Sequence, residues 1–166
     1  MSRNAFLSIA FVFLFLFPIF LSQAVTAQRN VYYADNQNEN QILSLINRER
    51  IKYGLGQLGW DPNLADLARR YSEKMARDQL FEHIDSDGND VVARARQSHI
   101  RGWSKIGENL FMCSPTDEYT SLSIRGWMKS PSHRENILDP VWRDTGIGIA
   151  RSRNGDIYIT EVFSDK

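Results

Sequence analysis

The stretch Thr145-Gly146-Ile147-Gly148-Ile149-Ala150-Arg151-Ser152-Arg153-Asn154-Gly155-Asp156-Ile157-Tyr158-Ile159-Thr160-Glu161-Val162-Phe163 reads as a β-hairpin. Two apolar runs, Thr145 to Ser152 and Asp156 to Phe163, flank Asn154-Gly155, the strongest two-residue turn signal. A two-residue turn there predicts Gly148 opposite Glu161, Ala150 opposite Ile159 and Arg151 opposite Tyr158. In that register Ile147, Ile149, Tyr158, Thr160 and Val162 share one face. Ile157, Ile159, Glu161 and Phe163 share the other with Gly146, Gly148 and Ala150. Both faces carry apolar residues, so both need covering. The fold expected is α+β: an α-β-α sandwich with a small, mainly antiparallel sheet between helices.

The covering helices lie upstream. Asp61 can cap a helix that has Pro62 in its first position. Leu64, Leu67, Ala68, Tyr71 and Met75 mark its apolar face, opposite Asp66, Arg69, Arg70, Glu73, Lys74 and Arg77. An earlier helix, about Glu39 to Tyr53, carries Ile42, Leu45 and Ile46 at helical spacing and stops near Gly54. A short helix is predicted over Val91 to Gln97, and a short strand over Leu110 to Cys113 after Gly107-Glu108-Asn109. Two Ser-Pro steps each read as a helix start. Ser114-Pro115 opens one to about Lys129, with Asp117 at a capping-box position, and Ser130-Pro131 opens one through Leu138.

The N-terminus is of another kind. Arg3 precedes an apolar run from Ala5 to Leu21, and Val25-Thr26-Ala27 supplies small residues. This is the pattern of a secretory signal peptide over residues 1–27, cleaved after Ala27, which leaves no membrane span. Polar residues 28–40 read as a flexible lead-in, and residues 41–166 as one domain. Lys plus Arg and Asp plus Glu number 20 each, which argues against nucleic acid or an anionic membrane surface as partner. A lone Cys113 cannot close an internal disulfide, and it follows Leu110-Phe111-Met112 as a buried thiol would.

Three segments can carry chemistry: Phe81-Glu82-His83, Gly107-Glu108-Asn109, and Trp127 through Arg134 with His133. His83 and His133 could offer imidazole nitrogens to a zinc ion, and Glu108 an oxygen. The other reading is a hydrogen-bonded His/Glu cluster that pins loops to the sheet. Asp85, Asp87 and Asn89 look like the start of a calcium loop. The sixth and twelfth positions hold Asp90 and Arg96 instead of Gly and Glu, so they read as a polar turn. His99 reads as a solvated loop residue. No Gly-x-Ser-x-Gly elbow or phosphate-binding glycine loop occurs.

Taken together, the segments resemble the CAP superfamily of cysteine-rich secretory proteins, antigen 5 and plant pathogenesis-related 1 proteins, in its bacterial-type, SCP-like branch. The segments are Ile46 to Arg50, Leu58 to Ala65, Phe81 to His83, Gly107 to Leu110, Trp127 to Leu138, Gly146 to Gly148, and Tyr158 to Phe163. The resemblance implies an α-β-α sandwich with a surface cleft, and His83 and Glu108 match two of the cleft positions. Eukaryotic members hold a second Glu where this chain has Ser130, and a second His where it has Tyr158. His133 matches the bacterial-branch histidine, and Glu161 stands where Gln is usual. The cleft expected here comprises His83, Glu108, His133, Asn109, Tyr158 and Glu161.

The leading functional expectation is a secreted binding module, not an enzyme, whose extracellular ligand is a lipid, a cell-wall component or a protein. One alternative is a metal-dependent hydrolase with His83 and His133 as zinc ligands and Glu108 as ligand or general base. The other is a structural or adhesive domain. Mass spectrometry of exported protein is expected to find Gln28 at the N-terminus, and recovery of only full-length, membrane-bound chain would contradict the leader.

Overall fold

The helix over residues 62–78 lies so close to the sheet that backbone meets backbone, and this contact orders the layers. A computed structural model describes residues 36–166; the expected signal peptide, its expected cleavage after Ala27 and most of the expected lead-in fall outside the described residues. Among the described residues no helix is long and apolar enough to cross a membrane.

The first helix, α1, spans residues 36–52 and so takes in the end of the predicted lead-in. It starts early because Glu39 is buried and receives a hydrogen bond from Arg69 Nε at 2.9 Å. That pairing spans 30 positions and leaves no local trace in the sequence. Ile42 and Ile46 are fully buried on its inner face. Asn47 donates to Leu58 O at 3.0 Å and accepts from Leu58 N at 2.8 Å, which fixes the connection to the next element. Arg50, also buried, donates to Gly56 O and to Ile137 O and Asp139 O, so it caps a distant helix end.

A two-residue strand β1 (Gly59–Trp60) leads into α2 (Pro62–Asp78). Asp61 caps α2 as predicted, accepting from Asn63 N and Leu64 N. The remaining elements are α3 (Val91–Gln97), β2 (Ile106–Cys113), α4 (Tyr119–Lys129), α5 (Pro131–Leu138), β3 (Asp144–Arg151) and β4 (Ile157–Ser164). The sheet order is β1-β3-β4-β2, with β1 parallel to β3 and the other pairs antiparallel. β2 runs four residues further upstream than predicted and includes the Gly107-Glu108-Asn109 segment.

The hairpin register differs from the predicted one by a single residue. Gly148 pairs with Thr160, Ile149 with Ile159, Ala150 with Tyr158 and Arg151 with Ile157. A two-residue type I′ turn needs positive φ at both central residues. In this turn only Gly155 has it, at 87°. Gly155 N donates to Ser152 O and Ser152 N to Asp156 O, which makes a three-residue loop closed by a glycine bulge. A one-residue slip moves a strand's partners to the opposite face. Ile147 and Ile149 therefore share a face with Ile157, Ile159, Glu161 and Phe163, and the small residues Gly146, Gly148 and Ala150 face with Tyr158, Thr160 and Val162.

That small-residue strip receives α2. A Cβ on Gly146 would stand 2.0 Å from Ala65 N, and one on Gly148 2.0 Å from Arg69 N. Ser72 Oγ lies 2.9 Å from both Gly148 O and Thr160 Oγ1, so the contact is polar as well as close. Leu64, Ala68, Ala95 and Val162 form one apolar cluster under α2 and α3, and Tyr71, Met75, Leu110 and Tyr158 another. On the opposite face α1, α4 and α5 bury Ile42, Ile46, Trp127, Ile137, Ile147 and Phe163 together.

One predicted helix start is displaced. Residues 114–118 form bends and turns, and α4 begins at Tyr119 with no side-chain cap, so Asp117 plays no capping role. Pro115 lies against the hairpin tip, where a Cβ on Gly155 would be 3.0 Å from its Cγ. The Ser-Pro step thus crosses the end of the sheet before the chain can coil. Cys113 is half-buried, and burial pushes its thiol up, away from the reactive thiolate.

Gly148→Ala should cost about 3 kcal/mol, the upper end of overpacking costs, because the clash is with backbone. Gly56→Ala, with open space around it, is the control. Urea denaturation measures both, and a loss under about 1 kcal/mol at Gly148 would contradict the contact.

Candidate functional site

β2 is an edge strand, and its alternation turns Glu108 toward α2 and α3 and Asn109 toward α4 and α5. The Glu108 side chain is only 3% exposed. A carboxylate so placed must find its partners within the protein. Arg94 Nη2 donates to its Oε2 at 2.6 Å, and His83 Nδ1 lies 2.9 Å from its Oε1.

Arg94 is the hub of this half of the site. It sits on the inner stripe of α3 with Val91 and Ala95, and it is buried. Its guanidinium lies 3.4 Å from the Tyr71 ring centroid, a close cation–π stack. Nη1 donates to Asn89 O at 2.8 Å and His83 O at 3.2 Å. The Tyr71 hydroxyl donates to Glu82 O. The segment after α2, turned by the left-handed Gln79, is thereby strapped down over the sheet edge. Asp85 tightens it by accepting from Asp87 N and Asn89 N, the polar turn expected there.

The other half comes from the opposite layer. His133 lies in the first turn of α5, with Nδ1 2.9 Å from Ser130 Oγ. Asn109 Nδ2 donates to His133 O at 3.2 Å. Asn136 Nδ2 donates to Glu108 O and Asn109 Oδ1, and Trp127 Nε1 donates to Leu110 O. Side chains of α4 and α5 thus occupy carbonyls of the edge strand. The His83 and His133 rings meet with centroids 6.4 Å apart.

The two imidazoles differ electrostatically. The hydrogen bond to Glu108 holds the His83 pKa above the usual value, against opposing effects of burial and Arg94. Burial, then the neighbouring His83, push His133 below it. At a pH between the two midpoints the pair therefore holds a charged His83 ring and a neutral His133 ring. The linkage signs are opposite. His83 contributes stability that is present below the ordinary imidazole pKa and lost as pH rises through its raised value. His133 costs stability as pH falls below the ordinary imidazole pKa.

His83, Glu108 and His133 therefore come together, with Asn109 holding the His133 backbone. Tyr158 and Glu161 lie elsewhere. Tyr158 shares the α2 face with Glu108 but sits four positions along from Val162, the Glu108 partner, about 13 Å away at strand rise, and is buried against Met75 and Leu110. Glu161 is fully buried on the opposite face. Arg94, Ser130 and Asn136 are the site residues that sequence reasoning missed. Arg94 had a signal: it falls on the stripe of Val91 and Ala95, where a charge needs a buried partner.

Residues 43–163 match the family profile of CAP, the cysteine-rich secretory protein family. This chain belongs to the CAP family. A relative, the uncharacterized membrane protein YlbC of Bacillus subtilis (strain 168), is 30% identical over 129 residues, covering 76% of this chain and 34% of its own length. The chain thus spans about a third of that relative. An extracellular protein containing an SCP domain from Bacillus anthracis str. Ames superposes with a TM-score of 0.69 at 28% identity, over 80% of this chain and 41% of that one. An outer surface protein of Borrelia burgdorferi shares the fold, with a TM-score of 0.71 at 18% identity over 78% of this chain and 93% of that one. The CAP fold accounts for the α-β-α layering found here.

Removing Arg94 would leave Glu108 buried without its cation. Arg94→Ala is expected to cost about 3–5 kcal/mol in chemical denaturation, the range for breaking a buried pair. A loss near zero would mean that the pair does not hold the loop.

Proposed function

We infer that this CAP domain works outside the cytoplasm as a binding module, and that its ligand is met at the sheet edge where His83 and His133 converge. The observation that carries this reading is the state of Glu108. Both of its oxygens are engaged, one by His83 and one by Arg94, so it is not a free base for activating water. His83, by contrast, has a side chain 57% exposed, flanked by the exposed apolar residues Phe81 and Ile84. A rigid, partly apolar surface with two imidazoles suits recognition better than turnover. The leader-like start and the extracellular protein it resembles support a location beyond the membrane. A lipid, a cell-wall component or a protein remains the ligand class.

A second reading, zinc binding, is favoured by one detail. Each imidazole has its Nδ1 held by a protein oxygen, from Glu108 or Ser130, which leaves Nε2 for a cation. Among the described residues no group of three or more His, Cys, Asp or Glu is arranged for a metal. On this reading a divalent cation would be held by His83 and His133 alone, with Glu108 orienting His83. A zinc ion there would supply a Lewis acid with open positions.

Two assays separate the readings. Co-sedimentation with insoluble envelope material and with phosphatidylcholine vesicles should weaken in a His83→Ala/His133→Ala double variant. Binding unchanged in that variant would point to the structural or adhesive role. Calorimetric zinc titration tests the second reading. Each single substitution should weaken binding about tenfold or more, and lower pH should weaken it too, since protons compete for imidazole. Turnover of an ester and peptide panel that stops with chelator would instead establish a hydrolase.

A further inference from the structure

A cavity of about 160 Å³ opens between α2, α3 and the turn at Asp85. That is well above the roughly 10–15 Å³ that holds one water. Leu67 and Tyr71 give it an apolar wall. Arg70, Lys74 and Arg94 bring cations to it, and Asp85 is its one acid. Gln97 and Ser98, at the end of α3, add neutral hydrogen-bonding groups. Neither imidazole of the site described above lines it.

The acid is already engaged. Asp85 Oδ1 accepts from Asp87 N at 2.9 Å and Asn89 N at 2.8 Å, within its own loop. The cations on α2 are not locked to their partners. Arg70 pairs with Asp66 and Lys74 with Asp87, and these two acids are 59% and 69% exposed. Exposed pairs of this kind are weak and give way to a competing anion. Arg70 Nη2 also donates to Ser98 Oγ at 3.1 Å, which leaves the hydroxyl hydrogen to donate. Gln97 Nε2 gives one N–H to Asn89 Oδ1 and keeps another. Arg94 is the most enclosed of the three cations, with a side chain 8% exposed. Its Nε has no hydrogen-bond partner, one of two such buried side-chain atoms among the described residues. A buried donor left unpaired calls for an acceptor. The carbonyls at the end of α3 are occupied: Arg94 O, Ala95 O and Arg96 O accept from Ser98 N, Ile100 N and His99 N.

The chain around the cavity biases the field in the same direction. Residues 91–107 hold Arg94, Arg96, Arg101 and Lys105 and no Asp or Glu, in a protein whose charges otherwise balance. Arg96 and Arg101 are exposed and have no ion pair among the described residues. A cleft lined by one sign of charge concentrates ions of the other. We propose that this cavity binds a phosphoryl group. Donors spread over two helices suit a tetrahedral group with several terminal oxygens better than a planar carboxylate, which one arginine fork satisfies. Arg70 and Lys74, one turn apart on α2, hold its charge. Ser98 and Gln97 donate to its oxygens. Arg94 keeps its bond to Glu108 and adds its own positive charge.

Inorganic phosphate is the probe. Titrated into the ¹⁵N-labelled full chain at constant ionic strength, it should move the Gln97 side-chain amide, the Ser98 amide and the Arg94 Nε–H along one saturable curve. Arg70→Ala and Lys74→Ala should each weaken binding about tenfold, the size of losing one charge-assisted hydrogen bond. Arg125→Ala, at an exposed arginine of α4 in the opposite layer, is the control and should change nothing. The His83→Ala/His133→Ala variant should bind phosphate as the wild type does, so this test stands if the imidazole reading fails. Sedimentation with phosphatidylcholine vesicles that carry phosphatidic acid separates the sources. Sedimentation that Arg70→Ala/Lys74→Ala abolishes identifies a lipid headgroup, and phosphate binding without sedimentation identifies a soluble phosphate ester. Shifts that sodium chloride reproduces, an affinity indifferent to Arg70→Ala and Lys74→Ala, or loss of phosphate binding in the double histidine variant would overturn the proposal.

Discussion

A carboxylate in a buried stretch of an edge strand constrains everything placed around it. Glu108 is fixed by the backbone of β2, so its partners must come to it. Arg94 comes from α3 and His83 from the segment after α2, and each meets this one carboxylate through a side-chain nitrogen. Breaking such a buried pair costs more than forming it gains, because the remaining charge is stranded. The loop between α2 and α3 is thus held in one conformation by the need to neutralise Glu108, and the position of His83 follows from that.

The same strand addresses the other layer through its alternate residue and its backbone. Asn109, Glu108 O and Leu110 O take up α5 and α4 through His133 O, Asn136 and Trp127. Two imidazoles from opposite layers meet because one strand anchors both. They are oriented differently: a carboxylate holds His83, and a neutral hydroxyl holds His133. The bond to Glu108 raises the His83 pKa, whereas burial and then the neighbouring His83 lower that of His133.

Much of this was legible in sequence where the determinants are local. Asp61-Pro62 and the spacing of Leu64, Leu67, Ala68, Tyr71 and Met75 define α2, because capping and helical periodicity act within a few residues. Pro131 to Leu138 was legible from its Ser130-Pro131 start, because proline is favoured at the first helical position. The hairpin was seen but misregistered, since Asn154-Gly155 serves both a two-residue turn and a glycine-bulged loop. Ser114-Pro115 carried a helix-start pattern that packing against the hairpin tip overrides. Of the site, His83, Glu108, His133 and Asn109 were named through family resemblance, while Arg94 was not, although its place on the stripe of Val91 and Ala95 sets it apart from the exposed Arg96. Tyr158 and Glu161 were included by position in the motif, but Tyr158 is buried against Met75 of α2 and Leu110, and strand alternation buries Glu161 on the opposite face.

The central claim is that Glu108 organises the imidazole pair. The most direct measurement is an NMR titration of both rings in the wild type and in Glu108→Gln. The account predicts that His83 titrates above the ordinary 6.5 and His133 below it, and that Glu108→Gln drops His83 while leaving His133 low or raising it slightly. Identical midpoints for the two rings, or a His83 midpoint indifferent to Glu108→Gln, would contradict it.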